Sequence, residues 1–462
     1  MRNFTTRHNW DRLRVSFWFA PAIMSVGALL LVWAMNWVDV RIPNEILENS
    51  GLVLVGTVAE LNSTLIGMAT SILATAGVVF SLLTLPLSTV ASQYGSRLLR
   101  VFLGDRITQL VLGIFASAFV YCLGAVLTSP SSAVPSEGPE ITATVGLLLM
   151  MAAFASLILL VQHISSMLQA PNIAAGAGAE LLDVILAESS NKVSIMDARR
   201  HTGQVGPETL ADKASLPETA GYPIRARQAG YIQYIYLDHV LTLAKERNLR
   251  IRLLSRTGHF VSSGAVVALV WPAGGVDEQQ AKQIRNAFLI GNRRTPAHDV
   301  EYAFNQLVEM AVRAMSPAIN DPYTAITCLD YIGDGLALFL RQAEISPHFY
   351  DQDGQLRFVF KPVTFDELLS NSFDMLRHAS CENVSVLLHM LDVIEGISRE
   401  TKSSEARQLL LHHVSLIQAE SQASALIEQD RQCIRTNGEA LQTKLKSAPE
   451  ALGDGPFVSL HS

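Results

Sequence analysis

Four apolar runs, Val15 to Val38, Leu61 to Ser96, Ile107 to Ser136 and Ile141 to about His163, contain no Asp, Glu, Lys or Arg. Each exceeds the ~20 residues that a helix rising 1.5 Å per residue needs to cross a ~30 Å hydrocarbon layer. A soluble four-helix bundle of this length requires a polar stripe on every helix, and these runs have none. Transmembrane helices are the reading that remains. The whole chain is 17% charged, against about 25% in an average soluble protein. Residues 1–164 hold only sixteen charges, eight acidic and eight Arg, so the deficit is concentrated there.

Flanking charge orients the spans. Four Arg precede the first run, and Arg97, Arg100 and Arg106 lie between the second and third, whereas 39–60 has only Arg41 and 129–140 has no basic residue. The bias of Lys and Arg toward short cytoplasmic loops then places both termini and the second loop in the cytoplasm, in a bacterial inner membrane. Trp10 and Trp18 at one end of the first run and Trp33 and Trp37 at the other occupy interfacial anchor positions. That run continues past the length of a signal-peptide core without a small-x-small cleavage site, so it is expected to be retained. A net charge of −7 gives no overall electrostatic reason to expect a nucleic-acid partner. The four Cys, at 122, 328, 381 and 433, have no metal-ligand spacing and suit reduced thiols.

The second run is unusual in its small and hydroxyl residues: Ser63, Gly67, Thr70, Ser71, Ala74, Gly77, Ser81 and Thr84 recur at helical spacing. Such a face serves close helix–helix packing or lines a permeation path by hydroxyls and backbone dipoles, and both readings stand at this level. Pro86 is expected to bend or end the helix. Arg97, Arg100 and Arg106 follow, either against lipid headgroups or as the basic cytoplasmic mouth of a pore.

The expected fold is therefore a four-span α-helical membrane domain over 1–164, followed by an α+β cytoplasmic region. A connector helix and loop cover 165–220, a small β module 221–272, a mainly helical domain 273–445 and a tail 446–462. Alternating apolar positions and Gly turns mark the β module. Its last piece, with Gly258, Val261, Gly264 and Val267, resembles half of the motif of biotinyl/lipoyl-like barrel-sandwich domains, without a lysine placed for a carrier group. The resemblance implies a scaffold. Residues 298–315 have helical periodicity with Asp299 as a cap or, alternatively, a catalytic acid.

Ser316-Pro-Ala-Ile-Asn-Asp-Pro-Tyr-Thr-Ala325 is the most distinctive polar stretch. It is a rigid inter-helix corner or, with Arg313, Ser316, Asn320, Asp321 and Thr324, a site for a ligand or a second subunit. Asp351, Asp353 and Gln355 imitate the start of a calcium loop, but Pro362 stands where the distal Glu belongs, so this is a turn before a strand. Helices follow at 364–380, 382–397 and 403–445. Neither a catalytic series nor a cofactor motif is present in the sequence, and no metal site or enzyme activity is expected.

Two stretches together carry a family resemblance: Ser92-Gln-Tyr-Gly-Ser-Arg-Leu-Leu-Arg-Val-Phe-Leu-Gly-Asp-Arg-Ile-Thr-Gln-Leu-Val-Leu-Gly and Arg313-Ala-Met-Ser-Pro-Ala-Ile-Asn-Asp-Pro-Tyr-Thr-Ala. On these the chain resembles the bacterial DUF2254 family of predicted membrane proteins across nearly its full length. The resemblance implies a four-span membrane domain with a cytoplasmic domain and no assigned reaction. The expected function is a homo-oligomeric channel or pore for ions or small solutes, gated or assembled by the cytoplasmic domain. The alternative is a membrane-anchored sensor or scaffold that binds a ligand or protein without transport.

Overall fold

A computed structural model describes residues 18–41, 54–93, 105–129, 140–167, 169–200, 221–295, 298–342, 347–351, 354–401 and 403–447, with side chains over the same spans except 85–93 and 189–200. The chain divides into two compact units, residues 1–173 and 174–462.

In the first unit the apolar runs form α1 (Phe19–Asp39), α2 (Val58–Gln93), α3 (Arg106–Thr128) and α4 (Glu140–Met167). Their common core is built from Ala28 and Val32 of α1, Leu61, Leu65 and Ile72 of α2, Phe115, Ala118 and Tyr121 of α3, and Ala143, Ala153 and Leu160 of α4. Small residues set the spacing between these helices. A Cβ on Gly113 would stand 2.3 Å from the Met24 sulfur, and one on Gly146 would stand 2.9 Å from Leu65. Large apolar side chains, among them Leu29, Leu30, Leu110, Leu148, Phe154 and Ile158, are exposed on the outside. That is the inverse of a soluble surface and suits a lipid solvent.

Of the two effects expected of Pro86, ending the helix does not occur, since α2 continues to Gln93. At 36 residues it is roughly 54 Å long, well beyond the hydrocarbon thickness.

The second unit begins with α5 (Ala170–Arg200), which starts four residues before the unit boundary. Length and composition alone leave the count of spans open between four and five, because five helices, including Ala170–Glu188, are long and apolar enough to cross a membrane. Only a short helical stretch is expected there from the pattern, since Ala and Gly dominate it and acids interrupt it. The apolar face of α5 is nevertheless covered by protein. Gly178 lies against Tyr331, Leu181 against Gly335, and the Gln342 amide donates to the Ile185 carbonyl at 3.3 Å.

The β structure follows as β1 (Tyr222–Arg225), β2 (Gly230–Ile235), α6 (Leu237–Glu246), β3 (Arg250–Leu253), β4 (Phe260–Val261), β5 (Val266–Trp271), α7 (Glu278–Asn286) and β6 (Phe288–Gly291). After α8 (Val300–Ala314) and α9 (Pro322–Arg341) come the hairpin strands β7 (His348–Tyr350) and β8 (Leu356–Val359). One sheet has the order β1-β5-β3-β8-β7 and the other β4-β2-β6.

Two sheets sharing a core with α6 and α7 differ from the simple barrel-sandwich expected over 221–272. Strands β6, β7 and β8 join from beyond residue 272, and β8 pairs parallel with β3, a pairing across more than a hundred residues that local alternation cannot reveal. The two turn glycines are as the pattern requires: Gly258 has φ +89° and Gly264 has φ +81°.

The remaining helices are α10 (Phe365–Ala379), α11 (Val384–Glu400), α12 (Ser404–Ala423) and α13 (Glu428–Ser447). The expected single helix over 403–445 is thus two. The chain turns extended at Ser424 and doubles back, and Gly438 of α13 lies within a Cβ's reach of the Gln418 side chain.

Candidate functional site

The core-facing positions of α2 are Leu61, Leu65, Met68, Ile72 and Val79. At roughly 100° per residue the opposite side of the helix carries Ser63, Gly67, Thr70, Ala74, Gly77, Ser81 and Thr84, alternately four and three residues apart. All seven are exposed, as is Ser71 beside them. A Cβ added at Gly67 or Gly77 would meet nothing within 4 Å. The row is therefore directed away from the bundle of its own chain. It is flanked by exposed Ile66, Leu73 and Phe80, which form a parallel row of large apolar groups seven residues apart.

Three hydroxyl donors on this face are satisfied locally. Thr70 Oγ1 donates to the Ile66 carbonyl at 2.8 Å, Ser71 Oγ to Gly67 at 2.9 Å, and Thr84 Oγ1 to Phe80 at 2.5 Å. Back-bonding of this kind keeps a hydroxyl tolerable in a low-dielectric medium while its oxygen still has acceptor capacity outward. A seven-residue period of small side chains is also the spacing at which two helices pack along a left-handed seam.

Of the proposed mouth arginines, Arg97 and Arg100 lie outside the described residues. Arg106 is exposed at the start of α3. The neighbouring Asp105 caps that helix, accepting from Thr108 N at 2.7 Å, and lies 3.0 Å from His163 Nε2 of α4. At the opposite end of α4, Asp39 of α1 accepts from the backbone N–H groups of Ile141 and Thr142 at 2.9 and 3.0 Å. Asn36 adds contacts to Thr128 and Thr142, and the Tyr121 hydroxyl donates to the Thr142 carbonyl at 3.0 Å. One helix thus caps another. Sequence reasoning missed this pair of polar clamps, and the one available signal was an acid immediately beside each apolar run.

The 316–325 corner is built as a turn. Asp321 accepts from Thr324 N at 3.1 Å and Thr324 Oγ1 at 2.5 Å, Pro322 takes the first helical position of α9, and Asn320 is left-handed at φ +48°. Arg313 pairs with Glu309 one turn earlier, at 3.0 Å. Ser316 supplies its carbonyl to Ile319 N and Asn320 N. The Asp321, Thr324 and Arg313 side chains are thereby engaged locally, Ser316 and Asn320 contribute backbone groups to the turn, and Ile319 and Tyr323 project outward.

A larger polar cluster joins the sheets to the helices. Arg256 reaches Glu301 in the first turn of α8 at 2.6 Å and Glu367 in the first turn of α10 at 2.8 Å. Asp299, only 3% exposed, caps α8 through Tyr302 N and also holds Arg294 through two bonds of 2.6 and 2.7 Å. Burial disfavours the charged form of Glu367, but hydrogen bonds from Lys361, Arg256 and the Thr364 backbone outweigh it and hold its pKa down at about 2. His259 is pushed below its ordinary value, first by burial and then by Arg256. These charges pair with one another across the sheets and helices. Among the described residues no group of three or more His, Cys, Asp or Glu is arranged to hold a metal.

The family model for predicted membrane proteins known as DUF2254 matches residues 14–396. The chain belongs to the DUF2254 family. An uncharacterized protein of Mycobacterium bovis and one of Mycobacterium tuberculosis are each 26% identical over 413 residues, covering 88% of this chain and 76% of theirs. A second Mycobacterium tuberculosis protein is 25% identical over the same length. No solved structure matches. Family membership and the apolar helices together indicate a lipid-bilayer environment for the chain.

Proposed function

We propose that α1 to α4 are the four spans of a membrane subunit that self-associates through the outer row of α2, and that the resulting oligomer conducts ions or small solutes. The observation that carries the reading is the direction of the row: seven small or hydroxyl positions with a seven-residue period, turned away from their own bundle. A helix that faced only lipid there would gain from large apolar side chains, as α4 does with Leu148, Phe154 and Ile158. Small side chains instead let a second backbone approach closely or leave room for a hydrated path.

In this reading α5 belongs to the cytoplasmic region, because its apolar face is occupied by α9 and it carries Glu180 and Asp183. Both termini are cytoplasmic by the distribution of arginine, in a bacterial inner membrane. The second unit serves assembly or gating. A membrane-anchored sensor or scaffold has less support, since Asp321 and Thr324 of the 316–325 corner are engaged in capping α9.

The test is reconstitution of the purified chain into planar bilayers, with currents recorded under ion replacement. The reading expects discrete conductances whose ion preference changes when Thr70 or Gly77 is replaced by Asp. A correctly folded oligomer that stays silent across voltage, membrane tension and solute conditions contradicts it.

A further inference from the structure

Residues 221–295 carry eleven Lys and Arg against four Asp and Glu, a net +7 within a chain whose overall charge is −7, although Arg256 and Arg294 are paired with Asp299, Glu301 and Glu367 from outside this range. The sheet gathers part of this excess on one side. Ile251 and Leu253 of β3 are buried in the core, so Arg250 and Arg252, which alternate with them, lie on the opposite face. Arg225 on β1 and Arg357 on β8 alternate in the same way with buried Ile224 and Phe358. Three of the five strands thus place arginine on this side of the sheet, with Arg225 and Arg252 exposed, Arg250 half-buried and Arg357 buried. Arg357 is engaged by Asp351, and Arg225 donates to the Gly264 carbonyl at 2.8 Å. Neither Arg250 nor Arg252 forms an ion pair among the described residues.

We infer that this face of the β1-β5-β3-β8-β7 sheet binds the phosphate headgroups of an anionic phospholipid surface. Charge complementarity selects an anion, and guanidinium groups match phosphate oxygens through paired N–H donors. The chain's own apolar helices anchor it in a bilayer, so a headgroup surface is present at high effective concentration and modest contacts suffice. A nucleic acid is the less favoured partner, because the large ring on this face, Trp271, is only 6% exposed and offers no platform for base stacking. Leu254, 46% exposed at the end of β3, supplies an apolar group beside the arginines that suits the boundary between headgroup and acyl chain.

The inference is independent of conduction and is tested without it. The full chain, held in phosphatidylcholine nanodiscs, is sedimented with vesicles of phosphatidylcholine or of equal parts phosphatidylcholine and phosphatidylglycerol. Binding is expected only to the anionic vesicles and is expected to fall as salt rises. Each arginine contributes about fivefold near such a surface, so Arg250→Gln with Arg252→Gln should weaken binding on the order of 30-fold. Replacement of both by Lys should preserve most of it. Equal binding to neutral vesicles, or an unchanged glutamine variant, overturns the inference. So does displacement of the vesicles by a short RNA that binds more tightly than they do, which would assign the face to nucleic acid.

Discussion

Arg256 stands between carboxylates brought to it from 45 and 111 residues along the chain, and so ties the β sheets to the first turns of two helices. Neither partner can be read locally. Asp299 was legible as a cap from its place before an apolar-periodic helix, but its second role, holding Arg294, depends on the path of the intervening loop. Arg256→Met leaves Glu301 and Glu367 without their shared cation. It should cost about 2 kcal/mol in chemical denaturation of the second unit, less than the ~3–5 kcal/mol of a fully buried pair because Glu367 retains some water.

The same site sets an acid limit. Glu367 has an ordinary pKa near 4.5 and is held at about 2, so its contribution is present above 4.5 and is lost as pH falls toward 2. Histidine acts earlier. His413 between α10 and α12, like His259, is held below 6.5, mainly by burial, so the folded unit resists protonation and stability declines as pH drops below 6.5. His413→Gln should flatten that decline in urea midpoints measured against pH. An unaltered slope would locate the proton uptake elsewhere.

Among elements, α2 shows what periodicity conveys and what it omits. Its length and its small-residue row were legible, but the direction of the row depends on where Leu65, Met68 and Ile72 find partners in α3 and α4. That is tertiary information. The path of α2 through Pro86 and the division of α12 from α13 were not legible for a related reason, since Pro is tolerated where neighbours restore the lost bond and Ala-rich helical patterns run across a break. Gly67→Leu with Gly77→Leu provides the test at this scale. Neither side chain would meet a neighbour within its own chain, so the monomer should fold unchanged while self-association falls at least tenfold in detergent. Loss of the folded monomer, or an unchanged oligomer by native mass spectrometry, would show that the row packs in some other way.

For the whole molecule, charge separates three environments. The first unit is nearly free of charge along its helices, the sheet region is basic, and the remainder carries the acidic excess. Total charge concealed this division, which is why a net −7 gave no hint of the arginine face. Thiol chemistry should follow the same partition between covered and open surface. Cys122 and Cys328 are buried, burial also pushes the Cys328 thiol up to about 12, and Cys433 is exposed on α13. Maleimide labelling of the native chain should therefore modify Cys433 first and reach Cys122 and Cys328 only after unfolding, as read by peptide mass.

The proposed pore depends on what the outer row of α2 faces in a bilayer. Spin labels placed singly at positions 70, 74 and 77, and at the flanking positions 66, 73 and 80, report this through collision with a water-soluble nickel chelate or with membrane-dissolved oxygen. A solute path predicts chelate access at 70, 74 and 77 that exceeds that at 66, 73 and 80, with oxygen access in the reverse order. Oxygen access that is equally high at all six positions, with the chelate excluded, would mean that the row faces lipid and would contradict the proposed pore.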